Sequence, residues 1–298
     1  IDEIKQMLIN QGNAKTPEAD GKDHTPPSHN PIILQRAEIF ILSGDLAKEA
    51  DARVKEKYAG IKAIEKISPE QGSNVFYVAA INEYLQERNI TLNGNPLRSA
   101  AQSDLEQTLA KGDILGIKGK HYVDTGLVLR TAEEPNIYLA KTLFKQFKDK
   151  DIALKENSAY VIPLHSLELE KDSSSPYGLS FSITDTTLQA YFEAPILNSP
   201  TQKKFNSSDI VLAIGLPSKV SDNGERTLYT RNYDQYTIKN SGVSRLCLGR
   251  TLNSDSDSEH LANSSTGGRV VLRIAELRPN SGQNTAAQSA AGNNPRRK

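Results

Sequence analysis

The stretch Tyr177-Gly178-Leu179-Ser180-Phe181-Ser182-Ile183 alternates large apolar and small residues. Strict alternation with a period of two is typical of a β-strand, because successive side chains point to opposite faces. The same pattern dominates residues 160–277, whereas apolar residues between about 32 and 152 mostly recur at helical spacing. A helix-rich segment followed by a strand-rich segment predicts an α+β fold.

The change of period predicts a domain boundary near residue 157. We expect a helix-rich α/β unit over residues 32–157 and a mostly antiparallel β-sandwich or open barrel over residues 158–278. The two units could pack as one body, because residues 149–157 form a short connection without glycine or proline. Residues 1–31 read as a short helix and a disordered linker, and residues 279–298 read as a disordered tail.

The first unit is predicted to contain four helices, because its apolar residues recur three and four positions apart. We place them over residues 43–58, 74–88, 95–110 and 136–148. Asn95 and Pro96 suit the first positions of the third helix, where the missing N–H of proline is not needed. Strands are expected over residues 33–42 and 61–67, and a β-hairpin is expected around residues 118–120.

The second unit is predicted to consist of seven or eight short strands. Leu167 and Leu169 alternate with acidic residues, and a similar alternation extends over residues 269–274. Residues 210–216 are almost uniformly apolar, which favours a central strand covered on both faces. The sequence Asp222-Asn223-Gly224 indicates a turn.

The bulk composition narrows the classes of function. The chain has 36 basic and 36 acidic residues, so it lacks the basic excess of most proteins that bind duplex nucleic acid. Its apolar runs fall far short of the roughly 20 residues needed to cross a bilayer, so we expect no membrane partner. The single Cys247 excludes an intrachain disulfide and favours a reducing compartment, so we predict a cytoplasmic location. Because the sequence begins with Ile1, we expect a processed or truncated product.

The preferred functional hypothesis is a non-enzymatic binding or interaction protein that uses the surface of the β unit. Tyrosine and arginine are enriched in recognition surfaces, since they offer a large contact area and polar groups together. A cluster of both types marks the candidate patch for an unknown protein partner or ligand: Arg226, Tyr229, Arg231, Tyr233 and Tyr236. The alternative interpretation of this cluster is a strand and loop with ordinary half-buried tyrosines.

A second hypothesis is a DNA-binding regulator of the winged-helix kind, using residues 74–131. The predicted order of helix, turn, helix and hairpin is the order of that fold, whose second helix enters the major groove. Asp104 and Glu106 on the same helix argue against it, since they would repel phosphates. The candidate nucleic-acid contacts are Arg98, Gln102, Lys111, Lys118 and Lys120.

A third hypothesis is a hydrolase or transferase with its site between the two units. His165 or His121 beside a carboxylate would support it, but the sequence contains no nucleophile elbow and no phosphate-binding loop. Cys247 lies two positions after Arg245 in a predicted strand, and the arginine charge could favour a reactive thiolate. A buried structural thiol is the simpler interpretation. We therefore predict no catalytic residue and lean against an enzyme.

Two further charged segments have structural interpretations. Residues 253–259 carry alternating oxygen-bearing side chains, but they lack the glycine and glutamate positions of an EF-hand loop. Lys141, Lys145 and Lys148 are spaced as one helix face, either a phosphate-binding ridge or simply the solvated side of an amphipathic helix. The sequence thus predicts no metal site and no cofactor.

Overall fold

The computed structural model describes residues 39–68, 70, 72–112, 115–131, 138–199, 201–230, 242–256 and 260–275. The predicted linker over residues 1–31 and the predicted tail over residues 279–298 lie outside this part of the chain. The described residues form helices and curled antiparallel sheets arranged as half-barrels, which confirms the predicted α+β class.

The α-helices are α1 Gly44–Lys57, α2 Lys62–Glu65, α3 Val75–Glu87, α4 Gln102–Leu109, α5 Tyr138–Asp149 and α6 Asp185–Ala190. Short 3-10 helices span Leu164–Ser166, Pro195–Asn198 and Ser207–Asp209. The strands are β1 Ile39–Ile41, β2 Thr91–Leu92, β3 Asn95–Ser99, β4 Val123–Arg130, β5 Ala159–Pro163, β6 Leu167–Lys171, β7 Leu179–Ile183, β8 Phe192–Glu193, β9 Lys203–Phe205, β10 Ile210–Val211, β11 Leu216–Pro217, β12 Arg226–Tyr229, β13 Val243–Leu248, β14 Ser254–Asp255 and β15 Val271–Ile274.

The strands form four sheets. The largest has seven strands in the order β8-β5-β4-β13-β14-β12-β9, and the second has four in the order β1-β15-β3-β2. The pairs β6–β7 and β10–β11 each form a separate two-stranded sheet. Among the described strands, the pairing of β12 with β14 is parallel and the other pairings are antiparallel.

Strands from both sides of the predicted boundary near residue 157 lie side by side. In the large sheet, β4 lies between β5 and β13, and in the second sheet β15 lies between β1 and β3. The main core cluster likewise extends from Phe40 to Leu272. Residues from both sides of position 157 therefore belong to the same sheets and to the same core cluster.

Three of the predicted helices form close to their expected positions. The Asn74 side chain caps α3 by accepting a hydrogen bond of 2.8 Å from the Tyr77 N–H, and α3 is buried from Val75 to Leu85. In α5, Leu143 and Phe147 are buried while Lys141, Lys145 and Lys148 are exposed. The lysines thus form the solvated face of an amphipathic helix.

The predicted helix over residues 95–110 is wrong in its first half. Asn93 and Gly94 have φ values of 56° and 80°, the left-handed pair that a two-residue hairpin turn requires. The turn pairs β2 with β3, so residues 95–99 form a strand. The helix α4 begins only at Gln102. The four-residue spacing of leucines and alanines favours a helix, but the turn at Asn93-Gly94 pairs residues 95–96 with β2 and so starts a strand.

Three other predictions of secondary structure are also wrong. Residues 62–65 form helix α2, where a strand was expected. Residues 118–120 form a turn, but Tyr122 after it bridges in parallel to Gly268 instead of closing a hairpin. Residues 210–217 form the small β10–β11 hairpin, in which Leu212 is 43% exposed, because Gly215 at a φ of 72° turns the chain.

The sequence predicts that no segment crosses a membrane, and the helices of the structure can be compared with this expectation. Within the part of the chain that the structure describes, no helix has the length and apolar character needed to cross a bilayer.

Candidate functional site

A cavity of about 140 Å³ lies against the large sheet, where β8, β5, β4 and β13 are neighbours. The polar residues of its wall come from β3, the beginning of α4, β4 and the 3-10 helix after β5. Two residues of the turn between β10 and β11 complete the wall. The lining residues are Arg98, Ala101, Gln102, Ser103, Thr125, Val161, Pro163, His165, Ala190, Phe192, Ala213, Ile214 and Leu246.

A glycine and a bulge lie in β4 beside Thr125, which lines the cavity. Gly126 lies opposite both Pro163 and Leu246 in the sheet, and a Cβ at this position would approach the Ile162 carbonyl oxygen to 3.0 Å. The register shift beside it leaves Thr125 without a strand partner in β13. The Thr125 hydroxyl instead donates to the Gln102 side-chain oxygen at 2.9 Å. At this point β4 therefore has no side chain at Gly126 and no pairing to β13 at Thr125.

The β10–β11 hairpin is fitted closely onto the beginning of α4. A Cβ at Gly215 would lie 2.4 Å from the Ser103 backbone nitrogen, so only glycine fits at this contact. The Gln107 side-chain amide also donates to the Leu212 carbonyl oxygen at 3.2 Å. Ala213 and Ile214 are thereby held at the cavity wall.

His165 is oriented by contacts on both its backbone and its ring. The Asn82 side-chain amide donates to the His165 carbonyl oxygen at 3.1 Å. The Arg98 Nη1 atom lies 3.4 Å from Nδ1 of the ring. Burial and then the charge of Arg98 lower the pKa of His165 to about 3, with Asp104 acting in the opposite direction. The imidazole is therefore neutral at ordinary pH.

The carboxylate of Asp104 forms an ion pair with Arg98 and offsets its positive charge. Its Oδ2 accepts hydrogen bonds from Arg98 Nη1 at 2.7 Å and from the Ala101 N–H at 2.8 Å, and Oδ1 accepts from Arg98 and Arg273. Burial alone would raise the pKa of Asp104, but the charge and hydrogen bonds of Arg98, assisted by Ala101 and Arg273, hold the pKa below its ordinary value. Asp104 therefore stays ionised beside the cavity.

Arg226, which the sequence assigns to the recognition patch, is buried and forms an ion pair with Glu106. Its guanidinium donates to both carboxylate oxygens of Glu106, at 2.6 and 3.0 Å, and Nε donates to the Leu252 carbonyl oxygen. Both side chains of this pair are at least 95% buried. Arg226 is therefore not available at a surface, as the patch requires. Tyr229 is half-buried, and the other predicted members, Arg231, Tyr233 and Tyr236, lie outside the described residues.

The residues predicted for DNA contact do not form one exposed face. The Arg98 side chain is 22% exposed and is paired with Asp104, while Gln102 is buried. Lys118 and Lys120 are exposed on a turn that is not the tip of a hairpin. The order of helix, turn, helix and wing does not form, because β3 replaces the start of the second helix. This removes the structural basis of the DNA-binding hypothesis.

The other candidate chemical groups offer no assembled site. Cys247 is buried within β13, and His121 is half-buried. Asn253 accepts a backbone hydrogen bond from Thr227 through its side chain, and residues 257–259 of the same acidic segment lie outside the described residues. Among the residues that the structure describes, no three histidine, cysteine, aspartate or glutamate side chains are placed to hold a metal ion.

Sequence reasoning missed the cavity although it singled out some of its residues. The sequence pattern points to other roles for Arg98, Gln102 and His165, and it does not single out Ser103 or Thr125. One signal was present: Gly126 interrupts the apolar run of β4, and an isolated glycine in a strand often marks a bulge or a close approach.

Comparison with known proteins supplies no relative for this chain. No family model, no curated protein and no solved structure matches it. The function is therefore inferred from the geometry of the chain's own residues.

Proposed function

We propose that this protein is a non-enzymatic binding protein that holds a small organic molecule in the cavity. The observation that supports the proposal is the composition of the wall, in which apolar side chains from the sheet surround a few convergent polar groups. This combination is typical of ligand sites, where the apolar surface supplies affinity and the polar groups fix the orientation.

The size of the cavity limits the ligand. An engineered apolar cavity of about 150 Å³ holds one benzene molecule. The cavity here, at about 140 Å³, has room for one ring or a short branched chain. Larger ligands would have to extend through its open side.

Two features support binding in preference to catalysis. A histidine with a pKa of about 3 is a weak general base at neutral pH. Its Nδ1 atom faces the Arg98 guanidinium, so no carboxylate orients the ring in the way that hydrolases require. The Thr125 hydroxyl of the wall already donates within the protein.

A titration of the full chain followed by ¹H–¹⁵N NMR tests the proposal. We expect toluene, benzamide or benzoate to shift the amide signals of Gln102, Thr125 and His165 in a saturable way. Replacing Ala190, which lines the cavity, with leucine should weaken this binding at least about tenfold, since one extra methylene group already costs 1–3 kcal/mol when a pocket is full.

Ala52→Leu is the matched control, because Ala52 is exposed on α1 and does not line the cavity. It should bind the probes as the unchanged protein does. The absence of saturable shifts for all three probes with the folded protein would refute the proposal.

A further inference from the structure

Hydrogen-bond donors without a protein partner lie in the cavity wall. The two hydrogens of Arg98 Nη1 point to the Ser99 carbonyl oxygen at 2.9 Å and to Asp104 Oδ2 at 2.7 Å. The positive charge of the same atom, 3.4 Å from Nδ1 of His165, favours the Nδ1 lone pair over an N–H at that position. In the neutral ring the proton is then on Nε2. Among the described residues, Nε2 has no hydrogen-bond partner. A polar N–H in a half-buried side chain is therefore left for a ligand.

Two neighbouring residues add to this capacity. Arg98 donates from Nη1 and Nη2 to Asp104 and from Nη1 to the Ser99 carbonyl oxygen, while its Nε–H makes no hydrogen bond to a described residue. The Ser103 hydroxyl, also in the wall, is likewise without a partner among the described residues.

Acidic side chains do not line the cavity in the part of the chain that the structure describes. Asp104, whose partner Arg98 lines the cavity, directs its two carboxylate oxygens to Arg98, Arg273 and the Ala101 N–H. Because this carboxylate is shared between two guanidinium groups, it compensates the charge of Arg98 only in part. An anionic ligand group would thus meet a cation and free donors without an unpaired carboxylate.

We propose that the ligand is a small monocarboxylate with an apolar body of about one ring, whose carboxylate accepts hydrogen bonds from His165 Nε2–H and Arg98. This inference rests on the proposed function, and it assigns the chemical class of the ligand. The apolar body lies among Val161, Phe192 and Leu246, and the carboxylate lies at the polar side of the wall.

The test compares three probes of similar shape with the full chain: benzoate, its neutral analogue benzamide, and toluene. Hydrogen bonds to a charged group are worth about 1.5–3 kcal/mol, which corresponds to a factor of roughly 10–100 in affinity. We expect benzoate to bind at least about tenfold more tightly than benzamide, and toluene to bind most weakly. Isothermal titration and NMR line shifts give the dissociation constants.

The variant His165→Leu should lose the preference for benzoate, whereas His165→Gln should keep part of it because its amide also donates. Lys145→Gln removes an exposed positive charge on α5 and is the matched control, so its preference should be unchanged. If His165→Leu fails to fold, the imidazole ¹⁵N signals of the unchanged protein supply the readout, and benzoate should shift the Nε2 signal.

Toluene or benzamide binding as tightly as benzoate, or an unmoved Nε2 signal, would overturn the monocarboxylate class and leave the binding function standing. If all three probes fail to bind, both proposals are wrong.

Discussion

Two buried acids of α4 lie two positions apart, and each is paired with arginine, yet their surroundings differ. Glu106 and Arg226 form a bidentate pair sealed inside the protein. Asp104 and Arg98 form a pair at the edge of the cavity, where Arg98 also contacts His165. One short helix thus carries an ion pair that is enclosed by the protein and a second ion pair whose arginine lines the cavity.

The largest expected effect comes from breaking the sealed pair. Glu106→Gln leaves the Arg226 charge buried without its anion, so we expect the free energy of unfolding to fall by about 3–5 kcal/mol. Urea unfolding measures it. The double variant Glu106→Leu/Arg226→Met should recover most of the loss, because it removes both charges together. A loss below 1 kcal/mol in the single variant would show that the pair is not sealed.

Next in size is the contact that closes the hairpin over α4. Gly215→Ala places a Cβ 2.4 Å from the Ser103 nitrogen and also strains a left-handed backbone. Gly94→Ala, at a φ of 80° with open space around it, carries the backbone strain alone, about 1 kcal/mol. We expect Gly215→Ala to be less stable than Gly94→Ala by a further 1–3 kcal/mol, as found for overpacking. Equal losses in thermal or urea unfolding would contradict the close fit.

The contact of His165 with the Arg98–Asp104 pair should make the free energy of unfolding depend on pH. Because the folded pKa of His165 is lowered to about 3 by burial and by Arg98, with Asp104 opposing, the unfolded chain binds the extra proton first as pH falls below about 6.5. Stability from this group is complete above pH 6.5 and is lost between pH 6.5 and 3, by at most about 1.4 kcal/mol per pH unit. His165→Gln should flatten the curve in that window. An imidazole that titrates near pH 6.5 by NMR in the folded protein would refute this.

The smallest expected effect belongs to an ion pair at the surface. Arg53 and Glu56 on α1 are 2.9 Å apart, but both side chains are more than half exposed. Arg53→Gln should change the free energy of unfolding by less than about 1 kcal/mol, because water and salt screen such pairs. A larger change in urea unfolding would mean that Arg53 supports more than this pair, for example the groove between α1 and α3 that it lines.

The fold class and three of the long helices could be predicted from the sequence, because their patterns are local. The period of 3.6 identified α1, α3 and α5, and the alternation around Phe181 identified β7. The helix over residues 95–110 failed because leucines and alanines at four-residue spacing fit α4 and a buried strand equally well. The turn at Asn93-Gly94 decided between them, and it was present in the sequence.

The cavity could not be predicted in the same way, because its wall is assembled from distant segments. Nothing near Thr125 in the sequence indicates that Leu246 will lie beside it, or that the Gly215 turn will close against Ser103. Likewise, the neighbouring tyrosines in the sequence favour a surface position for Arg226. Glu106, which pairs with its guanidinium, is 120 residues away and is brought there only by the tertiary packing.

The Thr125 hydroxyl, which lies 2.9 Å from the Gln102 side-chain oxygen, is also 3.1 Å from the carbonyl oxygen of Leu246, a residue 121 positions further along the chain. A growing chain on the ribosome must therefore release β13 before the cavity wall can be completed, because Leu246 is one of the lining residues. A chain stalled before residue 243 would contain the residues of α3, α4 and β4 but would lack Leu246, so we expect it to have no complete cavity.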